Sequence, residues 1–173
     1  MSEKRAIFQE VSDKEKPIAS NSVGIIEKNS NEKIRNTIQL WLKTLFVLIV
    51  LIILVGGLTR LTDSGLSITE WKPITGALPP FSAESWAAEF NKYKQIPEYK
   101  LQNDGMSLSE FKFIYWWEWG HRQLGRVIGL VWFFGFISLL SFGKIQKPWR
   151  LRLLLIGVLI GVQGTVGWWM VSS

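Results

Sequence analysis

Three stretches of nearly unbroken apolar sequence, Ile38 to Leu58, Leu124 to Phe142 and Leu151 to Val171, constrain this chain more than any other feature. Each is about 20 residues long, the length an α-helix needs to cross roughly 30 Å of hydrocarbon. A mean hydropathy of +0.15 alongside 20% charged residues fits separate greasy and polar blocks rather than an evenly mixed globule. The expected fold class is an all-α, polytopic membrane protein with three transmembrane helices.

The first run begins after about 37 polar residues and is followed by no small-residue cleavage pattern, so a retained span is expected rather than a signal peptide. The segment before it mixes basic residues with Glu3, Glu10, Asp13, Glu15, Glu27 and Glu32, whereas mitochondrial transit peptides are poor in acids. A bacterial inner (plasma) membrane is expected, not an organelle. Low hydrophobicity and mixed charge make residues 1–37 a disordered tail by expectation. Lys28, Lys33 and Arg35 precede the first span, and Lys144, Lys147, Arg150 and Arg152 crowd the link between the second and third. The positive-inside rule makes both places cytoplasmic, N-terminus included. The net charge of +6 is then a matter of orientation and gives no reason to expect nucleic acid. The expected layout is a tail over 1–37, spans over 38–58, 121–142 and 151–171, an exported loop over 59–120, a cytoplasmic link over 143–150, and a truncated end at 172–173.

That exported loop carries eight acidic against six basic residues. It opens with GGLTRLTDSGLSITEWKPITGALPP, where Gly56 and Gly57 weaken the helix and Pro73, Pro79 and Pro80 forbid its continuation. Trp71 is a candidate interfacial anchor. In SAESWAAEFNKYKQ, Ser82 is a candidate N-cap, and Trp86, Phe90 and Tyr93 share one face of a short amphipathic helix. It either lies over the outer face of the bundle or covers a small core of its own loop. Ser107 and Glu110 have capping-box spacing, and nothing breaks the helical pattern from Leu108 to Phe142. A helix of that length, roughly 50 Å, starts outside the membrane and brings His121 to its outer boundary. Gly125 and Gly129, and Gly157 and Gly161, are small-xxx-small pairs that suit close helix packing, with Gly164 and Gly167 beyond. Gln163, deep in the third run, is expected to bond to a neighbouring helix.

EFKFIYWWEWGHRQLGR, residues 110–126, holds the only histidine. On a helix, Glu118 lies one turn before His121, Arg122 is at i+4 from Glu118, and Gly125 is at i+4 from His121. A neutral imidazole ligates iron or zinc, a carboxylate one turn away can orient it or move a proton, and the glycine leaves room for a flat ligand. Arg122, Arg126 and Arg60 could meet carboxylates such as heme propionates. The plainer alternative pairs Glu118 with Arg122, bonds His121 to a carbonyl and leaves the arginines to lipid. Without cysteine there is no thiolate site.

The stretch GGLTRLTDSGLSITEWKPITGALPP, the later PEYK, SLSEFKFIYWWEWGHRQLGR and the final GVQGTVGWWMVSS together closely resemble heme A synthase, in the cysteine-lacking form of α-proteobacteria and mitochondria. The match covers roughly residues 38–173. It implies part of a four-helix-bundle repeat within an eight-helix enzyme that oxidises the C8 methyl of heme O to the formyl of heme A, for cytochrome oxidase biogenesis. By motif, His121 resembles the first histidine of the N-terminal pair at the substrate-heme site, Glu118 the glutamate implicated in the oxidation, and Arg122 the arginine after the histidine. Heme b is the implied cofactor, its ligands lying in the family's C-terminal half. Implied partners are membrane lipid, heme O, heme O synthase, oxidase assembly proteins and a second copy of the chain.

Three spans match only the N-terminal half of that family, without its fourth helix and partner histidine. A fragment inactive alone is therefore expected. Two rival classes remain: a non-enzymatic heme-binding or electron-transfer subunit whose two copies each supply His121, and an oxidase assembly factor without heme.

Overall fold

The computed structural model describes the backbone of residues 18–72 and 74–172, and side chains over 31–72 and 74–171. Helix α1 runs Ile18–Leu61, α2 Ala83–Tyr93, α3 Pro97–Gln102, α4 Leu108–Ser141 and α5 Lys147–Ser172, with a 3-10 turn at Thr75–Ala77. The described residues contain no strand, and three helical segments, Asn31–Leu61, Leu108–Ser141 and Lys147–Val171, are long and apolar enough to cross a membrane. The chain is an all-α protein with the character of a multi-pass membrane protein.

Two units divide the chain, Met1–Leu40 and Trp41–Ser173. In the first, the expected disordered tail falls partly on residues 1–17, which lie outside the described ones. From Ile18 onward the backbone is helical instead. No proline or glycine pair interrupts the sequence between Ile18 and Val55, so a helix seeded by the apolar run meets no breaker on its polar side.

Within the second unit, α4 is the organising element. Ser107 caps it, its side chain accepting from the Glu110 backbone while the Glu110 carboxylate accepts from the Ser107 N–H at 2.8 Å. The first turns of α4 are covered by α2: Trp86, Phe90 and Tyr93 bury against Phe111, Ile114 and Tyr115. Phe90 stacks on Phe111 with centroids 4.9 Å apart, and Trp86 meets Tyr115 edge-on. The amphipathic helix thus covers a core of its own loop. Ser82 caps it as expected, with Ser85 completing a capping box.

Deeper along α4 the helices are joined by tryptophans seated on glycines. The Trp41 indole of α1 donates to the Val131 carbonyl at 3.0 Å and occupies the space a side chain on Gly135 would need. Trp132 of α4 donates to the Leu153 carbonyl of α5 at 3.1 Å and fills the same kind of space over Gly157. Such bonds satisfy an indole N–H that lipid could not. Of the glycines singled out in the sequence, Gly157 serves this packing and Gly125 faces Ile52 at 3.7 Å. Gly129, Gly161, Gly164 and Gly167 face open space, and Gln163 is exposed without a hydrogen bond to a described residue. At the far end of α5, Trp168 meets Trp71 with centroids 6.0 Å apart, so α5 ends on the side where α4 begins.

Candidate functional site

His121 sits 13 residues into α4, about 20 Å along its axis, with a further 20 residues, about 30 Å, before Ser141. That places it at one edge of the hydrocarbon layer if the remaining length spans it. The imidazole is partly buried and makes no hydrogen bond to a described residue, so the carbonyl partner of the plainer reading is missing. Its Nε2 lies 3.1 Å from where a Cβ on Gly56 would be. Gly57, next along α1, faces open space. The imidazole thus packs on the bare backbone at Gly56, with open space beside it at Gly57.

Glu118, one turn earlier, is buried at 7% exposure. Both carboxylate oxygens are occupied. Oε2 accepts from the Ser67 hydroxyl at 2.7 Å and from the Ile68 N–H at 2.8 Å, and Oε1 accepts from Arg122 Nε at 3.0 Å and from Arg122 Nη2. Arg122 also donates to the Ile68 carbonyl at 2.7 Å and to the Glu70 carbonyl at 3.2 Å. A buried charge pair persists only with its remaining lone pairs and protons satisfied, and here the loop supplies the partners. The ion pair of the plainer reading is present, extended into a clamp on the segment that follows α1.

That segment is tightly built. Asp63 and Leu66 adopt left-handed backbone (φ 47° and 64°), at a cost on the order of 1 kcal/mol each for non-glycine residues. Ser64 and Ser67 are fully buried, and Thr62 shares its hydroxyl with Ser64. Beyond it, Arg126 donates to Gln123 at 2.6 Å and to the Lys72 carbonyl at 3.1 Å, and Gln123 donates to the Ala77 carbonyl at 2.6 Å. Pro73, one of the expected breakers, lies outside the described residues.

The expected residues therefore do not converge on one cavity. Glu118 and Arg122 join each other and the loop, Arg126 joins the loop further along, and Arg60 is exposed at the end of α1, one turn beyond Gly56. A cleft of about 230 Å³ beside the loop is lined by Glu70, Lys72, Tyr115, Arg122 and Arg126 among others, but not by His121. Sequence reasoning took the loop as merely turn-rich and missed Ser67 and Ile68 as partners of Glu118. It also read Gly56 as a helix weakener, not as the surface facing His121.

The family model described as cytochrome oxidase assembly protein matches residues 39–173. The chain belongs to that family. Among curated relatives, the heme A synthases of Dinoroseobacter shibae and Ruegeria pomeroyi are each 60% identical over 173 residues, all of this chain and 45% of their own length. That of Paracoccus denitrificans is 53% identical over 170 residues, 98% of the chain and 44% of the relative. The chain thus spans a little under half the length of these relatives. No solved structure matches it.

Proposed function

We propose that this member of the cytochrome oxidase assembly family forms the substrate-heme side of a heme A synthase, which oxidises the C8 methyl of heme O to the formyl of heme A. It is an oxidoreductase of a bacterial inner membrane, its N-terminus cytoplasmic and the loop between α1 and α4 exported. The observation that carries this reading is the His121 imidazole, which bonds to no described residue and lies against the bare Gly56–Gly57 backbone. A heme ligand needs a nitrogen lone pair, which the imidazole keeps; its Nε2 edge rests on Gly56, and open space lies beside it at Gly57.

In that role His121 holds the iron of heme O from α4. Glu118 belongs to the same site, one turn outward. Arg60, at the exposed end of α1, is the foremost candidate to meet a propionate at the interface, with Arg122 and Arg126, which bond to the loop, as the further candidates. The family's implied heme b is an electron-transfer cofactor. With one histidine and no cysteine, the residues of this chain do not make a two-histidine site for it. Lipid, heme O synthase, oxidase assembly proteins and a second copy of the chain are the proposed partners.

The test is complementation in a cell lacking its own heme A synthase, by these residues carried in a full-length heme A synthase in its native membrane. His121→Ala and Glu118→Ala are expected to remove heme A from membrane extracts while the protein still inserts. Wild-type heme A in both variants would sink the assignment.

A further inference from the structure

A carboxylate that takes a proton directly from substrate must have a lone pair facing it. Glu118 has its two oxygens on four donors, and none belongs to His121 or to the Gly56–Gly57 strip. Two of those donors, the Ser67 hydroxyl and the Ile68 N–H, come from the segment that continues α1 past Leu61. The other two come from Arg122, which binds carbonyls of that same segment at Ile68 and Glu70. The pair therefore straps the outer end of α1 to α4. At the other end of their contact, the Trp41 indole and Gly135 make the second fastening. Between the two lies the approach of Gly56 to His121, whose width they fix together.

We propose that Glu118, with Arg122 and Ser67, is a positioning residue: it sets the gap between α1 and His121 by holding the Ser67–Glu70 segment, and acts on substrate through that gap. This rests on the ligand role proposed for His121. The two left-handed residues, Asp63 and Leu66, are consistent with it, since a turn of that kind persists only where its surroundings over-determine it.

The test uses the protein solubilised from its native membrane, with Glu118→Gln and Ser67→Ala compared under limited proteolysis of residues 62–72 and under titration with hemin as the probe. Glu118→Gln keeps an acceptor but loses the charge Arg122 requires. Ser67→Ala removes a donor that has no part in proton acceptance. Both are expected to speed cleavage of the loop, about tenfold or more for Glu118→Gln, and to shift the Soret band of bound hemin. Glu118→Gln with native protease resistance and a native Soret band, but without heme A formation, would overturn the proposal in favour of direct proton acceptance. The protease readout needs no heme. If His121→Ala left hemin binding unchanged while the loop still opened in Glu118→Gln, the ligand assignment would fail and the strap would stand as structural only.

Discussion

His121 Nε2 lies 3.1 Å from the point where a side chain on Gly56 would begin, so the imidazole of α4 rests directly on the backbone of α1. A methyl group at that point forces either the ring or the helix to move. Gly56→Ala should therefore lower hemin affinity by about tenfold, the equivalent of about 1.4 kcal/mol, and shift its absorption. Gly57→Ala, where a Cβ meets nothing within 4 Å, should leave folding unaffected. Equal thermal stability and hemin affinity in wild type and Gly56→Ala would contradict this.

The tryptophan seats predict an order among glycine substitutions. Gly135→Ala and Gly157→Ala each collide with an indole, at a cost of about 1–3 kcal/mol from overpacking, whereas Gly129→Ala and Gly161→Ala meet open space and should be near neutral. Trp41→Phe loses the bond to the Val131 carbonyl, about 1 kcal/mol. Unfolding in mixed micelles would rank all five.

Glu70 accepts from Lys72 at 2.6 Å and from Lys92 at 3.0 Å, and these bonds hold its carboxyl below the usual carboxylate range. Its contribution is present above the unfolded pKa of about 4.3 and is lost as pH falls through the lower folded value. Lys92, bonded to Glu89 and Glu70, is pushed up, so its share is present below about 10.4 and is lost as pH rises through the higher folded value. All three groups are substantially exposed, so the effect is small and screened by salt. Protection of the loop from protease should be broadest between those limits, and Glu70→Gln should flatten the acid side.

Burial pushes the Tyr93 phenol up, although Asn103 donates to its oxygen at 2.8 Å. The unfolded chain ionises near pH 10 and the folded one later, so stability falls as pH rises past about 10. Ultraviolet titration should show the Tyr93 phenol ionising later than a free one. Tyr93→Phe should remove that step and cost about 1 kcal/mol by leaving the Asn103 amide without its acceptor.

Much of this architecture is legible in the sequence because it is local. Apolar run length marks the three spans, Ser107 and Glu110 announce the start of α4, and the Trp86, Phe90, Tyr93 spacing gives the buried face of α2. The candidate site is legible only in part. Spacing puts Glu118, His121 and Arg122 on neighbouring turns, but it does not say that Ser67 and Ile68, some 50 residues away, fill the Glu118 carboxylate. Gly135 escaped notice for the same reason: its partner, Trp41, lies on another helix, and periodicity along one helix reports a face without naming what covers it.

The most direct test of the central claim is the absorption spectrum of the purified protein titrated with heme O, wild type against His121→Ala. The wild type is expected to bind with a shifted Soret band of an imidazole-ligated heme, and His121→Ala to lose that band while remaining folded and membrane-inserted. An identical band and affinity in His121→Ala would contradict the account.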